Sequence, residues 1–320
     1  MRKIILDCDP GHDDALAILL AAKHLDVLGI TTVGGNQDLD KVTTNALKVV
    51  EFADLTHLPV AKGMGHPLIQ PPRHAAQVHG ETGMDGPDLP SPTTLLHPKH
   101  AVDFIVDTVM STDQVTLVPT GPLTNVATAL RREPRIAKRI TEISLMGGSL
   151  TFGNATPAAE FNIYVDPEAA HIVFTSGIPI KMCGLNLTRQ ANATDVEIER
   201  IRALGNRTGK IVAELLEFYK GTLKRVFGLT GGSLHDPCAV AALIDPTLIE
   251  FQAMHVAIEL RGEHTYGMTV CDYRHLQGTG KDIVAGGAIR LGELPNAEVG
   301  LRIDPKHFFD LLIDTLAQYP

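Results

Sequence analysis

The first half of the chain alternates short, continuously apolar runs with stretches whose apolar residues recur at helical spacing. KIILDC (3–8), VLGITTVGG (27–35), VTLVPTG (115–121), ITEISLMGG (140–148) and IPIKMCG (178–184) read as strands. Between them, DDALAILLAAKH (13–24), LDKVTTNALKVVEFA (39–53), PLTNVATALRREP (122–134) and DPEAAHIVFTSG (166–177) read as helices. Pro122 suits a first helical turn and Gly177 a helix stop. Strands without polar alternation are buried on both faces, so this order predicts an α/β fold in which helices cover both sides of a parallel sheet.

After Leu187 the pattern becomes more helical. Thr194 and Glu197 match a capping box, a long helix is expected from about Thr208 to Val226, and HDPCAVAALI (235–244) opens another beside His235 and Asp236. FQAMHVAIEL (251–260) and YGMTVCD (266–272) read as strands, and HFFDLLIDTLAQY (307–319) as a closing amphipathic helix. No repeat, low-complexity tract or linker composition divides the 320 residues. The stretch from Pro67 to Pro98, rich in Pro, Gly and His, is long for a loop, and loops of that length are usually functional or disordered.

Charge removes one class of partner. Lys and Arg number 28 against 37 Asp and Glu, so the chain lacks the basic face that nucleic acid requires. No run of 18 apolar residues suggests a membrane span, and the basic start meets Asp7 too early for a signal-peptide core. Cys8, Cys183, Cys238 and Cys271 are far apart and read as reduced, mostly buried thiols of a cytoplasmic protein. The N-x-T sequons at Asn154, Asn186, Asn192 and Asn206 are then chance matches.

The sharpest feature is DCDPGHDD at 7–14, at the carboxyl end of the first expected strand, where open α/β sheets place their ligands. One or two of these acids would serve as helix N-caps. Four aspartates within eight residues instead repel one another by several kcal/mol per close pair unless a cation or proton neutralises them. Oxygen donors alone imply a hard ion, Ca²⁺ or Mg²⁺ rather than zinc. D-x-D after an N-terminal strand also opens the Mg²⁺-dependent haloacid-dehalogenase phosphatases, whose first Asp is a nucleophile. Gly11 and the doubled Asp13–Asp14 depart from that pattern.

Three more constellations fit a sugar. GGN (34–36) ends the second strand, NATPAAEFN (154–162) gathers Asn154, Glu160 and Asn162, and LHDP (234–237) sets His235 and Asp236 at a helix start. Amide and acid side chains suit vicinal hydroxyls, which both donate and accept. GNRTGK (205–210) is one residue short of a P-loop, and no G-x-G-x-x-G follows the first strand.

With DCDPGHDDA (7–15), GGN (34–36), HGETGMDG (79–86), PTGPLTN (119–125), MGG (146–148), AEFNIYVDPEAA (159–170) and LHDP (234–237), the chain resembles the inosine–uridine nucleoside hydrolase family nearly end to end. The resemblance implies a Ca²⁺-dependent N-ribohydrolase, a single domain over 1–320 with a Rossmann-like, mostly parallel mixed sheet, and a homotetramer or homodimer. It implies Asp9, Asp13, Asp14, Asp236 and the Thr120 carbonyl as calcium ligands, with Asp9 the base for a metal-bound water and Asp7 orienting the ligands from behind. Asn36, Asn154, Glu160 and Asn162 would hold the ribose, with Met146 lining the pocket. His235 would sit at the leaving base, with His79 reaching it from the long loop. A carboxylate-lined pocket suits the positive charge that N-glycosidic cleavage builds on the ribose ring. A non-catalytic ribose- or nucleoside-binding protein is the third class these residues allow.

The chain contains no Trp, so stacking on the base falls to Phe or Tyr, and Phe227 and Tyr219 are the nearest candidates before His235. Two imidazoles, and wording closest to pyrimidine-preferring members, set the expectation of uridine and cytidine ahead of inosine and adenosine.

Overall fold

The computed structural model describes residues 1–274 and 294–320. Its strands are β1 (Lys3–Cys8), β2 (Asp26–Thr32), β3 (Val60–Lys62), β4 (Val115–Pro119), β5 (Ile140–Met146), β6 (Ile180–Cys183), β7 (Asn192–Ala193), β8 (Gly232–Ser233), β9 (Ile249–Met254), β10 (Val256–Ile258), β11 (Thr269–Cys271) and β12 (Ala297–Ile303). Its helices are α1 (His12–His24), α2 (Leu39–Phe52), α3 (Ala76–His79), α4 (Ala101–Ser111), α5 (Thr124–Arg132), α6 (Phe161–Val165), α7 (Pro167–Phe174), α8 (Leu185–Thr188), α9 (Asp195–Arg202), α10 (Arg207–Phe227), α11 (Asp236–Ile244) and α12 (Pro305–Leu316).

Among the described residues, eight strands form the central sheet in the order β3-β2-β1-β4-β5-β6-β12-β9. Neighbours are parallel except at the β12–β9 edge, so the expected mostly parallel mixed sheet is observed. β1 explains the two-sided burial. Ile4, Leu6 and Cys8 join one core with α1, α2, α11 and α12, while Ile5 joins the other with α4, α5 and α7. All four cysteines are buried and free.

Order reverses at β1, whose neighbours are β2 on one side and β4 on the other. A crevice opens at such a switch point, beyond the carboxyl ends of the strands. β1 delivers Asp9 there, and α1, α11 and the loops after β2 and β4 converge on it.

Three differences from the sequence reading stand out. FQAMHVAIEL is two strands: β9 closes the main sheet and β10 leaves it to pair with β11. β12 and the short β3 were not anticipated. Nor was α4, which lies directly after the Pro67–Pro98 stretch. That stretch carries one helical turn, α3, which brings His79 into the interior.

Candidate active site

The crevice is a cleft of about 450 Å³ lined by Asp9, Asp13, Asn36, His79, Thr120, Met146, Asn154, Glu160, Asn162, Tyr219, Phe227, His235 and Asp236, among others. Residues drawn from eight separated stretches of sequence thus meet in one place.

Backbone geometry fixes the acids. Asp9 Oδ2 accepts the Asn36 N–H at 2.6 Å. A Cβ at Gly35 would lie 2.1 Å from Asp9 Oδ2, and one at Gly121 2.7 Å from Oδ1, so only glycine permits the carboxylate its place between these loops. Asp14 accepts from the Gly11 N–H (2.9 Å), the Thr120 hydroxyl (2.9 Å) and the Asn36 amide (3.3 Å). Asp13 accepts the His235 N–H at 3.1 Å, which ties the start of α1 to the start of α11. Asp13, Asp14 and Asp236 each place an oxygen within 4.8 Å of the others.

Among the described residues, no opposite charge pairs with these acids. Asp9, Asp13, Asp14 and Asp236 are each at most 4% exposed, and none takes part in an ion pair among the described residues. Burial first, then their mutual repulsion, holds the carboxyls of Asp9, Asp13 and Asp236 above the ordinary range; burial also raises Asp14. A buried, all-oxygen, uncompensated donor set fits a hard divalent cation. Asp7 lies one layer deeper, where Oδ1 accepts from Thr31 (2.6 Å) and Asn125 (2.8 Å) while Oδ2 has no partner among the described residues. Its burial pushes the carboxyl up to about 7.

The neighbouring wall is polar and equally constrained. Asn162 Nδ2 donates to the Thr120 carbonyl (2.6 Å) and the Met146 carbonyl (3.2 Å), packing against Met146 Sδ at 3.4 Å. Glu160 caps α6, accepting from the N–H groups of Asn162 (2.9 Å), Ile163 (3.1 Å) and Gly148 (2.9 Å), and burial pushes it up to about 7. Asn154 spends Oδ1 on the Phe161 N–H (2.9 Å) and leaves its amide nitrogen for the cleft.

Rings close the far end. Thr188 Oγ1 lies 2.6 Å from His235 Nδ1, and burial, with the Arg189 charge, pushes this imidazole down to about 4. His79 is buried and stacks on Tyr219 with centroids 5.6 Å apart. Tyr219 is 2% exposed, whereas Phe227, at the end of α10, is 50% exposed at the mouth. The sequence reading overlooked His12, whose Nδ1 is 3.2 Å from His79 Nδ1, and Arg73, which donates to the Tyr164 carbonyl and lies over the Tyr164 ring at the cleft wall.

The family model described as inosine-uridine preferring nucleoside hydrolase matches residues 4–310. The chain belongs to that family. Nucleoside hydrolases cleave N-glycosidic bonds, and this places the chain among enzymes and sets aside both the phosphatase and the non-catalytic readings of its acid motif. The pyrimidine-specific ribonucleoside hydrolase RihA of Shewanella sp. (strain ANA-3) is 48% identical over 322 residues, covering 99% of this chain and 97% of that one. RihB of Escherichia coli (strain K12), also titled pyrimidine-specific, is 44% identical over 321 residues, covering 99% and 98%. Among solved nucleoside hydrolases, the purine-preferring ribonucleoside hydrolase from Gardnerella vaginalis superposes with a TM-score of 0.88 at 33% identity, covering 99% and 98%. Among the described residues, no helix is long and apolar enough to cross a membrane.

Proposed function

We propose that this nucleoside hydrolase is Ca²⁺-dependent and prefers pyrimidine ribonucleosides, releasing uracil or cytosine and ribose. The observation that carries the reading is the uncompensated carboxylate cluster sharing one cleft with an amide-and-acid wall and two imidazoles. Asp9, Asp13, Asp14, Asp236 and the Thr120 carbonyl would hold the ion. Three or four carboxylates with room for water suit Ca²⁺, whereas Mg²⁺ takes one or two. Bound there, Ca²⁺ supplies a fixed positive charge that orients water and ribose hydroxyls and lowers the cost of deprotonating the water.

The chain's own groups do the rest. Asn36, Asn154, Glu160 and Asn162 orient the sugar. As the C1′–N bond breaks, the carboxylates face the positive charge growing on the ring. Asp9 takes a proton from the water whose oxygen bonds to C1′. In this reading the Thr188 hydroxyl donates to Nδ1, 2.6 Å away, and His235 presents Nε2–H, which hydrogen-bonds the negative charge growing on the departing base.

The names of the relatives at 44–48% identity support the pyrimidine preference. A competition between equimolar uridine and inosine, following base release by chromatography, tests it: uracil is expected to appear faster, and faster hypoxanthine overturns the preference. The homo-oligomer, tetramer or dimer, rests on the resemblance, and the cytoplasmic location on the reading of the cysteines as reduced thiols; light scattering on purified protein checks the first.

A further inference from the structure

Behind His79 lies His12, the first residue of α1, which no step above uses. Its ring is clamped in plane: it stacks on Phe218 at 5.4 Å and 7°, and on Tyr219 at 5.3 Å and 13°. Its two nitrogens have fixed partners. Nε2 lies 2.7 Å from the Asp85 backbone oxygen and Nδ1 lies 3.2 Å from His79 Nδ1. A carbonyl only accepts, so Nε2 must carry hydrogen.

The His12 ring is fully buried between two aromatic faces and its nitrogens meet a backbone oxygen and another ring, not a carboxylate, so it carries one hydrogen and Nδ1 is a bare acceptor. The hydrogen between the two rings therefore belongs to His79 Nδ1. His79 is itself buried and held well below the usual imidazole range, by burial and then by its histidine neighbours, so it too carries a single hydrogen. Its Nε2 is left unprotonated, and His79, whose one side-chain hydrogen bond among the described residues is at Nδ1, lines the cleft.

We infer that His12 is a positioning residue that fixes His79 as a hydrogen-bond acceptor, so that the base end of the cleft takes a ligand presenting an N–H or amino group to His79. The inference rests on the reading that a nucleobase occupies this end. It also divides the two imidazoles that face the cleft: His235 donates, His79 accepts, and only the first serves charge on a departing base. A uracil ring offers both edges, an N–H beside two carbonyl oxygens, and cytosine offers an amino group.

The test is spectroscopic and independent of turnover. Long-range ¹H–¹⁵N correlation spectra of the Ca²⁺-loaded, ¹⁵N-histidine-labelled enzyme report which nitrogen of each neutral ring is protonated. Expected are Nδ1–H for His79 in the unsubstituted protein, a change to Nε2–H in His12→Phe, which keeps the ring stack but removes the acceptor, and a return to Nδ1–H in His12→Asn, whose Oδ1 occupies the Nδ1 position. The KM for uridine is expected to rise about tenfold in His12→Phe with kcat nearly unchanged, the size of one lost hydrogen bond, and to recover in His12→Asn. An Nε2–H tautomer in the unsubstituted protein, an unchanged tautomer in His12→Phe, or a loss confined to kcat overturns the inference. If the tautomers are as stated but uridine neither binds nor reacts, the substrate reading falls and the histidine chain stands.

Discussion

At one end of the cleft, carboxylates extend from the sheet's carboxyl edge and from helix starts, and backbone N–H groups hold most of them in place. At the other end, rings from the start of α1, from the 67–98 stretch and from α10 hold one another by stacking and by one ring-to-ring hydrogen bond. The first kind of site cannot change without disturbing the core that builds it. Much of the second, His12 and His235 apart, can be altered by substituting a few side chains on a loop and on α10. The chemistry of the reaction is thereby tied to the fold, and the choice of base is not. A purine-preferring relative that keeps the fold at a TM-score of 0.88 is what such a division allows.

The division predicts a graded series. Asp236→Ala should give the largest effect, a fall in turnover of at least about 10³-fold, because it removes an ion ligand and leaves three acids unbalanced. Calorimetric titration with Ca²⁺ should show binding lost in parallel, and full activity after exhaustive chelation would remove the metal from the mechanism. At the ring end, His235→Ala should lower kcat by about 10²–10³-fold, the effect of deleting one donor to developing charge. Affinity for ribose should hardly move, and an equal loss of it would transfer His235 to the sugar wall.

Gly35→Ala probes the acid end without touching an acid. A methyl 2.1 Å from Asp9 Oδ2 must displace the base, so kcat should fall about 10²-fold with the folded content intact by circular dichroism. Unchanged kcat would show that Asp9 has slack. The smallest effect concerns stability and pH. Burial raises Asp7 and Glu160 to about 7, above the roughly 4 of such groups in an unfolded chain. Between those values the folded chain holds protons that the unfolded chain has released, so metal-free stability falls as pH rises. Ca²⁺ binds the ionised site, and its stabilisation should grow with pH. Melting of chelated and Ca²⁺-loaded protein at about pH 5 and about pH 7.5 should give the larger difference at the higher pH, and a smaller one there would contradict the reading.

Much of the acid end was legible because its signal is local. Four aspartates in eight residues conflict unless something reconciles them, and Asp236 stands in an HDP step at a helix start. The parallel sheet was legible for a similar reason, since β1, β4 and β5 are apolar along their whole lengths. β12 was not, because AEVGLRI alternates polar and apolar residues near a sheet edge and resembles a solvated strand. His12 was in plain sight inside the acid motif, yet its meaning lies in partners 67 and 73 residues away. Phe227 was proposed for the base from its spacing to His235, and only the path of α10 shows that Tyr219 is the aromatic buried against the histidines.

The bond from the His235 N–H to Asp13 spans 222 residues of chain. A ribosome adding roughly 5–20 residues per second releases the acid motif some 10–50 s before α11 follows it. During that interval Asp9, Asp13 and Asp14 are a short acidic stretch in water, without the buried oxygen that completes their set. Residues 319 and 320 are involved as well: the Pro320 carbonyl accepts the Thr208 N–H at the start of α10, and the Tyr319 hydroxyl donates to Leu19 in α1. The ion-holding cage is therefore a late product of synthesis. An incomplete chain released early would carry the motif without the means to trap calcium or open a nucleoside.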